Sequence, residues 1–114
     1  TIEDGQKVAL EIINSGKIPD AIFASNDPSA IGAMQVFKKN GFLIPNDVAF
    51  VGFTESKMGS IIDPPLTSVL QPAHEIGREA ARTLIEQIEN PTAYKTQIIV
   101  LNGQLNCRES SNKV

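Results

Sequence analysis

The stretch 19–55 constrains this chain most: two short apolar runs are separated by one helix-length segment, and each run ends abruptly in polar residues. Ala21-Ile22-Phe23-Ala24 stops at Ser25-Asn26-Asp27-Pro28, and Val48-Ala49-Phe50-Val51-Gly52-Phe53 stops at Thr54-Glu55. Between them, residues 29–40 carry apolar side chains at helical spacing and end at Gly41. Asp27 is a good N-cap, Pro28 suits the first helical position, and Gly41 fits the left-handed site just past the end. Nearly unbroken apolar runs suit strands buried on both faces, and strand–helix–strand order makes them parallel neighbours. The fold class read from this unit is α/β. Parallel α/β sheets bind ligands beyond the carboxyl ends of their strands, where Asn26 and Thr54 both lie.

The rest of the chain extends the same pattern. Thr1-Ile2-Glu3-Asp4 can cap a helix whose apolar stripe is Val8, Ala9, Ile12 and Ile13, with Gly16 as its stop. Residues 55–63 suit a short helical turn, and Pro64-Pro65 then extends the chain into a strand at 66–70. Residues 72–90 form the longest helix candidate, with Ile76, Ala80, Ala81, Leu84, Ile85 and Ile88 on one side and Pro91 beyond its end. Residues 96–101 read as a strand, Asn102-Gly103 as a tight turn, and 104–108 as its returning partner. The last residues, 110–114, read as a frayed tail.

Composition removes several function classes. At 114 residues the chain supports one modest core, and its net charge of −3 gives no positive field for nucleic acid. No stretch approaches the roughly 18 apolar residues of a membrane span, and no signal-like segment opens the chain. The single cysteine, Cys107, has no internal partner, which agrees with a reducing compartment. A right-handed α/β unit would place another strand before the first helix, so the chain reads as a fragment of something longer.

Ala24-Ser25-Asn26-Asp27, Ile31-Gly32-Ala33, Gly41-Phe42-Leu43-Ile44-Pro45-Asn46-Asp47-Val48, Val51-Gly52-Phe53 and Pro64-Pro65-Leu66-Thr67-Ser68-Val69 occur in one order. Gln71-Pro72, Ile76-Gly77-Arg78-Glu79-Ala80-Ala81 and Arg108-Glu109-Ser110-Ser111 continue it. This ordered set resembles the later part of the sugar-binding region of the lac-repressor (LacI) family of bacterial transcription regulators. The resemblance implies a partial periplasmic-binding-protein-like (type I) lobe, with a mainly parallel sheet flanked by helices. It implies that 1–70 and 96–110 belong to the second lobe, and that the helix at 72–90 docks on a first lobe lying upstream with a DNA-binding head. With that lobe missing, the apolar stripe of this helix is expected to find cover on its own sheet or on a second copy.

The implied function is the effector-binding portion of a cytoplasmic LacI-type regulator that takes a sugar or similar small polyol. DNA would be bound only through the absent head, with no membrane partner and no cofactor. A periplasmic sugar-binding protein of a transporter is the alternative, and a small α/β enzyme a third reading. Asn26 offers both a donor and an acceptor to sugar hydroxyls, though a turn asparagine can equally satisfy local backbone. The resemblance makes Asn26 an effector contact, and Gln71 a second one. Thr54 falls where many members carry Asp. It keeps a hydroxyl but lacks the charge and one acceptor; neighbouring Glu55 is a candidate substitute, but strand alternation points it to the opposite side, which favours Thr54 itself. Asp27 is assigned to helix capping beside the ligand.

The resemblance also implies a dimer interface through Ile31, Met34, Gln35 and Lys38, with Met58, Ile61 and Ile62; the plainer reading makes Ile31 and Ile61 core. No catalytic or metal-binding set stands out. His74 is the only histidine, and Ser25, Ser60 and Cys107 lack an activating partner.

Overall fold

A computed structural model describes residues 1–113 of the chain. Its elements run α1 (Ile2–Ser15), β1 (Ala21–Phe23), α2 (Asp27–Lys39), β2 (Ala49–Val51), α3 (Lys57–Ile61), β3 (Ser68–Leu70), α4 (Ala73–Glu89), β4 (Gln104–Asn106) and a 3-10 turn at Glu109–Ser111. Local chemistry sets most of the ends. Thr1 and Asp4 form a reciprocal capping box at α1, and Gly16 closes that helix in the left-handed conformation. At the end of α2, Phe42 N–H donates to Phe37 O at 3.1 Å and Gly41 N–H to Lys38 O at 3.0 Å. Gly41 has φ +86°, and the Phe37 and Phe42 rings meet edge-on at 5.2 Å. That combination is a Schellman closure with its apolar contact.

β1 and β2 are parallel, in register Ala21↔Ala49, Ile22↔Phe50 and Phe23↔Val51, as strand–helix–strand order predicts. The expectation of burial on both faces fails for β1, where Ile22 is half-buried but Ala21 and Phe23 are exposed. The core gathers Ala9, Ala30, Ile31, Ala33, Met34, Phe37, Val48, Phe50 and Leu66. Phe37 stacks edge-on against Phe50 at 5.5 Å. α1 reaches this core by very close approach to α2. A Cβ on Gly5 would stand 2.0 Å from Ser29 O, and one on Gly32 would stand 2.0 Å from Ile2 O.

The chain divides into two compact units, the first holding 1–70 and the residues from 105 onward, the second Gln71–Gln104. Residues 96–104 therefore group with α4, not with the first unit. The expected strand at 96–101 and its hairpin are absent: residues 95–103 have no regular secondary structure, and β4 pairs with β3 instead. A β-branched apolar run makes a strand only when a partner supplies hydrogen bonds, and here Ile98 is 92% and Val100 77% exposed. Within α4, Ile76, Leu84, Ile85 and Ile88 are all exposed in this single chain. The tail expected to fray is ordered through Ser111, and Ser110 is fully buried. Val114 lies outside the described residues.

The close approach of α1 and α2 gives a signed prediction. Ala at position 32 would raise helix propensity by about 1 kcal/mol. A methyl forced against a backbone carbonyl costs roughly 1–3 kcal/mol, so the clash wins. Gly32→Ala should lower the thermal midpoint, and differential scanning calorimetry would measure it.

Candidate ligand site at the strand ends

The parallel register carries β1 and β2 to adjacent ends, and a loop leaves from each. Ala24 N–H donates to Val51 O at 2.8 Å, which extends the pairing to the start of the first loop. Asn26 then has extended backbone (φ −157°, ψ 159°), and its Oδ1 accepts from Ser29 N–H at 2.9 Å. The N-cap of α2 is thus Asn26, not Asp27 as the sequence suggests. Its Nδ2 lies 3.4 Å from Ser25 Oγ. An asparagine amide has two N–H groups and two acceptor lone pairs, so this cap leaves hydrogen-bonding capacity for a ligand.

Asp27 has a different task. It is fully buried in the first turn of α2, and its Oδ2 accepts from Ser56 N–H at 2.7 Å while its Oδ1 accepts from Ser68 Oγ–H at 2.5 Å. Its own N–H donates to Phe53 O at 3.1 Å. One residue therefore holds the start of α2, the loop after β2 and the start of β3. The space is made by glycine. A Cβ on Gly52 would lie 2.3 Å from Asp27 Oδ1, and one on Gly59 would lie 2.6 Å from Oδ2.

Thr54 sits at the top of the second loop, exposed, with φ +63°. Glu55 does not stand in for it. Its side chain is largely buried, accepting from Arg108 Nη2 at 2.7 Å and Asn106 Nδ2 at 2.5 Å. Those two hydrogen bonds, Arg108 first, hold the Glu55 carboxyl below its ordinary pKa. Asn26 and Thr54 belong to the first unit and Gln71 to the second, where its carbonyl accepts from Ala73 N–H at 2.9 Å.

The residues expected at a dimer interface divide. Ile31 and Met34 are 3% and 2% exposed, so they are core, as apolar positions on the inner side of a packed helix must be. They floor a groove of about 440 Å³ whose walls include Gln35, Lys38 and Ile62. Gln35 accepts from Gln6 Nε2 at 3.0 Å, and Lys38 Nζ donates to Asp63 O at 2.5 Å. Met58 and Ile61 are 51% and 81% exposed, so Ile61 is not core. His74 is exposed, and no group of metal-ligating side chains occurs among the described residues.

Sequence reasoning misses the structural work of Arg108-Glu109-Ser110-Ser111. Ser110 Oγ donates to Phe50 O at 2.7 Å and accepts from Thr67 N–H at 2.8 Å. Thr67 Oγ1 accepts from Arg108 N–H at 2.7 Å, and the Arg108 guanidinium also donates to Leu66 O at 2.8 Å.

Residues 2–111 match the family described as the periplasmic binding protein-like domain. The chain belongs to that family. It is 36% identical over 89 residues to the HTH-type transcriptional repressor CytR of Escherichia coli (strain K12), an alignment covering 78% of this chain and 26% of the relative. Among solved structures it resembles the transcriptional regulator CelR–cellobiose complex, with TM-score 0.88 and 35% identity over 97% of this chain and 34% of that one. It also resembles the lac repressor dimer bound to operator and the anti-inducer ONPF, with TM-score 0.83 and 25% identity over 94% and 37% of the two chains. The chain thus spans between 26% and 37% of the length of these relatives. The expected architecture, a partial periplasmic-binding-protein-like lobe of helices and parallel sheet, is the one it shares with these LacI-type regulators. Among the described residues no helix is long and apolar enough to cross a membrane.

The Asp27 hub can be tested without any ligand. Asp27→Asn keeps the shape but places an NH₂ group where one of two donors, Ser56 N–H or Ser68 Oγ–H, now finds an acceptor. A buried donor left unsatisfied costs about 1–3 kcal/mol, and urea unfolding should show a loss of that size.

Proposed function

We propose that this chain is the C-terminal part of the effector-binding domain of a LacI-type transcriptional regulator. It takes a sugar or similar small polyol between two lobes, and the ligand controls DNA binding by an N-terminal head. The observation that carries this reading is the placing of Asn26 and Thr54 on neighbouring strand-end loops tied to one buried carboxylate. Both side chains are neutral and polar, matching hydroxyl-rich ligands better than anions, and the similar CelR structure holds cellobiose. Gln71, just after β3, is a further candidate effector contact in the longer protein. The protein works in the cytoplasm as a regulator without catalytic chemistry, a reading supported by relatives named as a transcriptional repressor and a transcriptional regulator. The coding sequence upstream discriminates it from a transporter's binding protein: a helix-turn-helix supports regulation, and a signal peptide overturns it.

Asn26→Ala is a poor test, because it also removes a helix cap worth about 0.5–2 kcal/mol. Asn26→Asp keeps the cap oxygen and deletes both N–H donors. In the longer protein this variant should bind effector at least about tenfold more weakly, corresponding to one lost hydrogen bond to a buried polar ligand. Calorimetric titration with a panel of mono- and disaccharides, cellobiose included, would read it. Unchanged affinity for every sugar that the parent binds would remove Asn26 from the site.

The groove floored by Ile31 and Met34, with Ile62 in its wall, together with the exposed Met58 and Ile61 of α3, is the surface through which two copies associate. Ile61 is the right place to probe, because it is exposed, whereas Ile62 also packs on the core. Ile61→Lys should shift the longer protein from dimer toward monomer in sedimentation velocity while leaving its thermal midpoint nearly unchanged at high dilution. A dimer that persists would move the interface elsewhere.

A further inference from the structure

The chain passes between its two units at two places, Leu70–Gln71 and Gln104–Leu105. Glu55 holds the strand beside each. Its N–H donates to Val69 O at 2.9 Å, and its Oε2 accepts from Asn106 Nδ2 at 2.5 Å. The other oxygen, Oε1, accepts from Arg108 Nη2 at 2.7 Å, and Arg108 in turn donates through Nη1 to Leu66 O at 2.8 Å. Backbone and side chain of one residue therefore bind β3 and β4 together, just inside both crossings.

We propose that Glu55 is a positioning residue that couples the Thr54 loop to both strands by which the chain crosses between its units. The inference rests on the reading of Thr54 as a ligand contact, since a ligand drawing on Thr54 then moves its neighbour's grip on β3 and β4. A mostly buried ion pair is weak evidence for stability, because desolvation offsets most of its attraction. A carboxylate with two fixed oxygens, however, defines two donor positions at once, which an apolar side chain of similar volume cannot do. Thr54 supplies a point where force can enter. Its left-handed backbone is held from both sides, by Asp27 N–H on Phe53 O and by Val69 O on Glu55 N–H. A change there bears directly on Glu55, whose backbone N–H is one of those two bonds. Coupling of this kind needs a continuous physical link with differential contacts, and the link here is one residue long.

The test uses the 114-residue chain and no ligand, so it succeeds or fails apart from the sugar reading, which the Asn26→Asp titration addresses. Thr54→Gly relieves the left-handed backbone without touching Glu55. Its effect is followed by amide chemical shifts at Leu105 and Asn106, in the parent and in a Glu55→Gln background. The expected result is a Thr54→Gly perturbation at Leu105 and Asn106 that is lost in the Glu55→Gln background, while the perturbation at Phe53 and Ser56 remains. Hydrogen exchange at Leu105 and Asn106 should also quicken about tenfold in Glu55→Gln, the equivalent of one charge-assisted hydrogen bond. A perturbation at Leu105 and Asn106 that is equal in both backgrounds overturns the proposal, because a merely structural Glu55 predicts that outcome. Should Glu55→Gln fail to fold, Asn106→Ala removes the β4 arm while leaving the Glu55–Arg108 pair, and is read by the same two criteria at Leu105.

Discussion

Both loops at the strand ends depend on the carboxylate of Asp27. A fully buried carboxylate is costly unless each oxygen is satisfied, and here the compensation is hydrogen bonding, not an opposite charge. Ser56 N–H and Ser68 Oγ–H supply it from the loop after β2 and from β3, and the first turn of α2 adds the favourable end of its dipole. Because donors and acceptor come from three separate elements, the bond lengths set distances among those elements. Gly52 and Gly59 belong to the same arrangement, since a methyl at either would lie within 2.6 Å of a carboxylate oxygen. Asn26 and Thr54 lie directly beside this anchored region, Asn26 next to Asp27 and Thr54 next to Phe53, whose carbonyl accepts from Asp27 N–H.

A second polar knot holds the terminal segment. Strands of three residues make few ladder bonds, and the core of this unit is small. Ser110, Thr67 and Arg108 supply the missing connections, tying the end of the chain to Phe50 O, Leu66 O and the start of β3. Every buried side-chain nitrogen and oxygen among the described residues has a partner. A network in that condition rigidifies, whereas a half-satisfied one would be worse than an apolar core. The two knots meet at β3, where Ser68 answers Asp27 and Thr67 answers Arg108 and Ser110.

What is legible in the sequence is what depends on neighbours in the chain. The capping box at Thr1, the stops at Gly16 and Gly41, the extent of α4 and the parallel pairing of β1 with β2 all follow from local chemistry and element order. The choice between Asn26 and Asp27 as cap does not. Both residue types cap helices well, and the decision comes from Ser56 and Ser68, which lie 29 and 41 residues further on and claim the Asp27 carboxylate. Ser110 escapes a local reading for the same reason: its partner on β2 lies 60 residues earlier, so a polar terminus looks unattached. At 96–101 the apolar, β-branched run is real, yet no strand forms without a partner. Ile31 and Met34 show the ambiguity of helical spacing, which marks a packed face without saying whether the packing is within or between chains. The strand-end position of Asn26 and Thr54 is legible, and the positive φ of Thr54 is not.

That conformation separates what the fold requires at position 54 from what the side chain is for. A β-branched residue in the left-handed region is a genuine outlier, with a cost of order 1–3 kcal/mol. The hydrogen bonds that hold it there, Asp27 N–H to Phe53 O and Glu55 N–H to Val69 O, involve no atom of the Thr54 side chain. Glycine, asparagine or aspartate would satisfy the same backbone with less strain. An aspartate here would therefore suit this loop conformationally better than threonine does. Threonine is the harder choice for folding, and it gives up a charge that would strengthen hydrogen bonds to hydroxyls. What it carries is a neutral hydroxyl donor–acceptor with a methyl group beside it, where an aspartate would carry two charged acceptors. The strain at Thr54 is thus a property of its backbone, held by the bonds on Phe53 O and Glu55 N–H, neither of which involves its side chain.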